Sequence, residues 1–432
     1  MEACEALAES REAMEDNALA VPLTGADPQG WRALLATPLH KGYRSGTHRT
    51  RAPRETLQRL RPHLPAMGIT RVANITGLDL IGVPVVMACR PNSRSLATSL
   101  GKGLDVDAAM VSSMMECVEL HHAERVMLPL LLASTAEMKA RGPLIDVARL
   151  PRIRNSRYHE HFPLLWVQGC DLVSGHGVWL PFETVHASAS SQAPSGSGCF
   201  AATSNGLASG NHRLEAVVHA LLEVIERDST AVWGAGGPGR PEQSAIDLDS
   251  VDDPGCRWVL DRCRSAGVYV TAYETTSDVG VPSFLCELRD AGTDPSLAAV
   301  FSGLGCHVDR GVALLRALTE AVQSRLTLIA GSRDDLSRRD YVEKGHPPPA
   351  RASRRFPGGV SMASGETFNE DFEQIRARLL EVGVDQIVAV DLTRLEFQIP
   401  VVRVVVPGLE GPDDDPEYMP GPRARAAAGR PS

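Results

Sequence analysis

The stretch GNHRLEAVVHALLEVIERD, residues 210–228, reads as one amphipathic helix with three carboxylates on a single stripe. At about 100° per residue, Glu215, Glu223 and Glu226 fall within roughly 80° of one another around the axis. Val217, Leu221, Val224 and Ile225 form an apolar arc opposite them. A chain built this way must bury one side of the helix and find a use for the other. Either the stripe is a solvated face, or it holds divalent cations. Clustered like charges are costly unless a cation offsets them, and hard oxygen ligands suit Mg²⁺.

Two more stretches repeat the pattern. VSSMMECVELHHAERV places Ser112, Glu116 and Glu119 within roughly 60° of one another, and neither acid has a cation four residues on. ALLRALTEAVQSRL puts Glu320 and Gln323 on one face, with Arg316 and Thr327 beside them. Three such stripes point to one shared polar centre, although periodicity alone does not make them converge.

With 432 residues, the chain has enough length for a sizeable core. A formal net charge of −9 argues against general nucleic-acid binding. Nine scattered cysteines contain no C-x-x-C pair, so neither a zinc site nor a disulfide framework is favoured, and reduced thiols in the cytoplasm are expected. The acidic N-terminus lacks a secretory pattern, and the longest apolar run, VMLPLLLA, is too short to span a bilayer.

Residues 1–40 read as a variable N-terminal extension and 412–432 as a flexible tail rich in proline and arginine. Between them, residues 41–411 form the expected catalytic domain. The arginines of residues 41–61 are a solvated face or a phosphate contact. RVANITGLDLIGVPVVMACRP, AGVYVTAYETT, SFLCELRD, AAVFSGLGCHV, DQIVAVDLT and VVRVVVPGLEG read as β-structure. LLWVQGCDLVSGHGVWLPFETVH reads as a hairpin, and RRDYVEKGHPPPARASRRF as a surface loop. Long helices are expected over about 107–133 and 309–330. Helices and strands mix without strict β-α-β order, which predicts an α+β fold with mixed sheets.

Two other chemistries weigh less. GKG at residues 101–103 is not a Walker A loop, so Lys102 is read as structural. A nucleophile pair of Cys199 with His121 or His122 competes poorly with cysteine as a small buried apolar side chain.

S-x-x-x-E-x-x-E at Ser112 to Glu119 resembles the first nucleotide-site motif of the YcaO family. NGLASGN followed by EVIERD is similar to its second motif, and ALLRALTEAVQSR with GSRDD to its third. The resemblance covers about residues 46–410 and continues through GTHRT, RPNSRSLATSLGKG and WVQGCDL. It implies a YcaO-like fold whose long helices enclose a nucleotide site, with ATP and Mg²⁺ as cofactors. Carried over by position, it implies metal ligands at Glu116, Glu119, Glu215, Glu223 and Glu226. It likewise implies nucleotide contacts at Arg49, Thr56, Ser112, Glu116, Asn211, Gln323 and Arg325.

The activity so implied is O-phosphorylation of a backbone amide in a ribosomally made precursor peptide, followed by nucleophilic displacement. Sulfide gives a thioamide, with a TfuA-type partner. A Cys, Ser or Thr side chain gives an azoline, and an amine gives an amidine. The chain has PGP but lacks the PxPxP ending of many azoline-forming relatives, which favours thioamide formation or a stand-alone cyclisation. A leader-binding partner and a homodimer are also expected, without nucleic acid or membrane. The alternative of another class is a non-catalytic scaffold that binds ATP and precursor. A carboxylate-bridged metallohydrolase would want histidines among the acids.

Overall fold

The computed structural model describes residues 27–188, 194–237, 239–290, 299–336, 350–352 and 354–429. Helix α1 (Pro28–Ala36) is capped by Asp27 and buries Trp31 and Leu34. This part of the expected N-terminal extension is core: Trp31 packs beneath Arg213, whose guanidinium lies 5.4 Å from its ring centre. Residues 1–26 lie outside the described residues. Helix α2 (Pro53–Leu60) follows the arginine-rich segment and buries Thr56, Leu57 and Leu60.

Strands β1 (Arg71–Asn74), β2 (Val85–Cys89) and β3 (Thr98–Lys102) form an antiparallel sheet. Helix α3 (Val106–Ala123) lies across it. The two approach so closely because Gly101 has no side chain: a Cβ there would stand 2.1 Å from the Ser113 backbone N. The expected helix over 107–133 ends early. Pro129 has no backbone N–H to continue it, and residues 131–134 form strand β4 (Leu131–Ser134) instead. Short helix α4 (Thr135–Lys139) starts from a capping box of Ser134 and Glu137.

The expected hairpin is present as β5 (Pro163–Asp171) and β6 (His176–Pro181). Strand β7 (Leu207–Ser209) leads into α5 (Arg213–Ala235), the helix of the first acid stripe. Then come α6 (Arg240–Ser244), β8 (Ile246–Asp247) and α7 (Pro254–Ser265). Strands β9 (Val268–Glu274), β10 (Ser283–Asp290) and β11 (Phe301–Cys306) form a second antiparallel sheet of three. Helix α8 (Arg310–Ala330) packs on it through another glycine contact, since a Cβ on Gly303 would stand 2.1 Å from the Ala321 backbone N. Strand β12 (Arg354–Arg355) pairs in parallel with β8. Most of the expected surface loop, residues 337–349, lies outside the described residues. Helix α9 (Phe368–Glu381), β13 (Val388–Asp391), β14 (Val401–Val405) and α10 (Pro422–Ala428) complete the order.

The largest sheet runs β4-β5-β13-β14-β7, with β6 on β5. Its two faces follow the alternation of a strand. On β14, Val401 joins the core shared with α3, while Val402 and Val404 join the core shared with α5. Helices α3 and α5 thus sit on opposite faces of one sheet, near its β7 edge. Helix α8 lies in a third core, which it shares with both three-stranded sheets. Helices and antiparallel sheets combine as the α+β class expected. The described cysteines form no disulfide, and among the described residues no helix is long and apolar enough to cross a membrane.

The segment after Pro412, expected as a mobile tail, docks through polar contacts between distant residues. Arg423 makes two hydrogen bonds to the buried Asp228 of α5, at 2.8 and 3.0 Å. Glu410 accepts from Tyr418 Oη at 3.0 Å and from the backbone N of Gly421 and Ala424 at 2.7 and 2.9 Å. Arg423→Ala strips a buried carboxylate of its cation and is expected to cost about 3 kcal/mol of stability. An unchanged urea midpoint would contradict the docking.

Candidate active site

Helices α3, α5 and α8 turn their polar stripes toward one cavity of about 790 Å³. Helix α3 contributes Ser112, Glu116 and Glu119. Helix α5 contributes Glu215, Glu223 and Glu226, with Asn211 just before it. Helix α8 contributes Glu320 and Gln323, and the N-terminal segment adds Arg49 and Thr56. A volume of this size lies within the ordinary range of ligand pockets.

Local hydrogen bonds divide the acids into two kinds. Glu119 Oε1 accepts from the Ser209 backbone N at 2.8 Å and from the Ser209 hydroxyl at 2.6 Å, so β7 fixes its direction. Glu215 Oε2 accepts from the Thr50 backbone N at 2.9 Å and hydroxyl at 2.6 Å. Its Oε1 accepts from the Asn211 backbone N at 3.2 Å, and Arg49 Nη1 stands 3.9 Å away. Glu215 therefore clamps the loop that carries Arg49. Thr56 donates to Asn211 Oδ1 at 3.0 Å, and Arg59 Nη1 donates to the same oxygen at 3.3 Å. By contrast, Glu226 Oε2, Gln323 Oε1 and Arg316 Nε are buried without a hydrogen-bond partner among the described residues. Such atoms cost free energy until a ligand engages them.

Charge tells the same story. Burial pushes Glu116 and Glu223 up to about 7, and Glu119 up to about 8. Glu226 is also raised by burial, and Glu320 adds repulsion. Burial opposes ionisation of Glu320 too, yet Lys102 and Arg227 hold it below the ordinary carboxylate range. Lys102 Nζ lies 2.7 Å from Glu320 Oε2.

Among the described residues, no three carboxylate, imidazole or thiol groups stand close enough to hold a metal ion by themselves. Mg²⁺ does not need such a cage. It binds through one or two carboxylates, and phosphates and water complete its shell. Poised acids with unmatched oxygens therefore fit a metal–nucleotide complex better than a bare metal.

The raised carboxylates retain protons in the folded protein that the unfolded chain has already lost. Between about pH 6.5 and 8.5 the folded state therefore holds more protons, and stability falls as pH rises. The ligand-free protein is expected to melt earlier at the upper end of this window. Added MgATP is expected to stabilise it more there, because fewer protons compete for the acids. A ligand-free melting midpoint that climbs across the window contradicts this.

Arg325 is a correction. It does not line the cavity; its Nη1 lies 3.0 Å from Asp290 and its Nε 3.4 Å from Asp79, and its guanidinium lies over the Phe301 ring. Two residues along a helix is about 200° of rotation, so Arg325 faces away from Gln323. Cys199 and His121 do not meet either. Cys199 is fully buried with its thiol pushed up to about 11 by burial, and His121 packs on Phe397.

Sequence reasoning missed several lining residues. Lys102, expected as structural, faces the cavity. So does His219, which burial and the nearby arginines hold well below its ordinary range and hence neutral. Position 219 lies between Glu215 and Glu223 on the α5 stripe, so periodicity carried that signal. Asp413 and Asp414 also line the cavity, from beyond the expected domain boundary at residue 411.

The chain is similar to several known proteins. Residues 100–410 match the family model described as YcaO cyclodehydratase, ATP- and Mg²⁺-binding. A protein of Rhizobium leguminosarum bv. trifolii, known only as lying in the tfuA 3′ region, is 38% identical over 83% of this chain and 87% of its own. An uncharacterised Mycobacterium tuberculosis protein is 34% identical over 87% of this chain and 85% of its own. Among solved structures, YcaO from Methanopyrus kandleri bound with AMPPCP and Mg²⁺ superposes with a TM-score of 0.67 at 24% identity, covering 88% of this chain and 98% of that one. A heterocyclase in complex with substrate and cofactor has a TM-score of 0.71 at 20% identity, covering 89% of this chain and 56% of that one.

Proposed function

This chain belongs to the YcaO family, whose cofactors are ATP and Mg²⁺, and from that premise we propose that it replaces the oxygen of a backbone amide in a ribosomally made precursor peptide. The observation that carries this reading is the convergence of three acid-bearing helices on one cavity with unpartnered polar atoms. When bound, ATP supplies the phosphoryl group that turns the amide oxygen into a leaving group, and Mg²⁺ neutralises phosphate charge.

In this assignment Glu116, Glu119, Glu223 and Glu226 would hold the metal. Glu215, whose oxygens already have donors, positions Arg49 and Thr50. Arg49, Lys102 and Arg316 present cations toward the phosphates, while Ser112, Asn211 and Gln323 contact the nucleotide. We take the working unit as residues 27–429, because α1 packs into the core, Asp413 and Asp414 reach the cavity and Arg423 docks on Asp228.

We favour sulfide as the nucleophile, giving a thioamide with a TfuA-type partner. The relative in the tfuA 3′ region supports this choice. Azoline formation is the second reading, favoured by the likeness to cyclodehydratases. The test is mass spectrometry of the precursor after incubation with enzyme, MgATP, Na₂S and partner. A thioamide exchanges one oxygen for one sulfur, whereas an azoline loses one water. Loss of water without sulfur uptake rejects the thioamide reading.

A further inference from the structure

A second, much smaller cavity of about 50 Å³ lies behind the wall of the main one. At three places the wall is a single step of the chain. Ser204 and Leu207 line the main cavity while Thr203 and Asn205 line the small one. Glu223 and Val224 divide in the same way, as do Asp413 and Pro412. The small cavity has room for a few water-sized particles, since one such probe occupies about 10–15 Å³. It is far too small for a nucleotide.

Its polar groups are incompletely matched. Arg403 of β14 is 2% exposed. Its Nε donates to Thr184 O at 2.9 Å and its Nη2 to Thr203 O at 2.6 Å. Both anchors line the same cavity. Nη1 is buried and donates to nothing among the described residues. Asn205 Oδ1 is likewise buried and accepts from nothing there. Around them stand Val224, Val404, Val406 and Leu409. Among the described residues the only acid lining the cavity is Glu410, which already accepts three hydrogen bonds from the C-terminal segment. Glu223 attracts Arg403 from across the wall without an ion-pair contact among the described residues, and the unmatched N–H of a buried guanidinium calls for an anion.

We propose that this cavity is the waiting site of the nucleophile, a hydrosulfide ion held between Arg403 Nη1 and Asn205 Oδ1. The inference rests on the thioamide reading above. Hydrosulfide matches both orphans: its negative sulfur accepts from the arginine, and its one hydrogen donates to the amide oxygen. It is small and polarizable, which suits apolar walls, and it lies one residue behind the carboxylate of Glu223. Its sulfur forms the new C–S bond at the activated amide carbon. The C–O bond then breaks, and phosphate leaves with the S–H proton, so the thioamide carbon keeps its oxidation state and no reductant is required.

The test measures the KM for sulfide with Na₂S, MgATP and precursor. Arg403→Gln is expected to raise that KM at least about tenfold, the effect of losing one charged hydrogen bond, and by more than it raises the KM for ATP, which it reaches only through the charge on Glu223. Arg403→Lys should recover part of the loss. Because Arg403 also ties two loops, Asn205→Asp serves as a second variant; its carboxylate repels the anion and raises the same KM without touching those ties. Crystals soaked in NaBr should show bromide at Nη1 in the wild type and none in Arg403→Gln. Water alone at Nη1, or a sulfide KM unmoved in both variants, overturns the inference while leaving the thioamide reading intact. A wild-type enzyme that takes up no sulfur fails that reading itself, an outcome the bromide experiment keeps separate.

Discussion

Glu223→Gln is expected to give a folded protein that has lost ATP turnover by at least about a hundredfold, the scale of removing one preorganised electrostatic contact to a reacting phosphoryl group. The substitution conserves size and removes one charge. Glu223 stands near its midpoint at neutral pH, because burial raises it while Arg227, Arg403 and Arg316 draw it down. Loss of that carboxylate therefore removes the charge proposed to hold the metal, at the point where α5 faces the cavity. It also lifts the repulsion that Glu223 exerts on Glu119. The ligand-free variant should accordingly be at least as stable as the parent above neutral pH. A residue that served only as a solvated face would change neither property. Phosphate release at the parental rate, measured with precursor present, removes Glu223 from the metal set.

How far the sequence could be read depended on the range of the interactions. The stripes on α3, α5 and α8 were legible because helical period is local. Their convergence was not, since it depends on both small sheets and the β7 edge meeting in space. The close strand–helix contacts at Gly101 and Gly303 were equally out of reach, because the backbone each glycine meets lies on another element. Arg325 shows the reverse case. Motif proximity suggested the nucleotide, although helix rotation already turned it away. His219 was legible by the same geometry and was passed over. Lys102, Asp413 and Asp414 were beyond local reading, because their places follow from Glu320 and from the Arg423–Asp228 pair, each distant in sequence.

The central claim is that the peptide itself accepts the phosphoryl group, so that ATP does more than drive a motion. Exchange of an amide oxygen for sulfur, or ring closure onto the amide carbon, expels the carbonyl oxygen, which leaves badly as hydroxide. Phosphorylated, it departs inside the phosphate. The decisive measurement uses a precursor with ¹⁸O in its backbone carbonyls and follows the released phosphate by mass spectrometry. The account predicts one labelled oxygen in phosphate for each modified residue, whichever nucleophile attacks. Unlabelled phosphate from fully modified peptide would contradict amide activation and leave the three acid stripes as an ATP site alone.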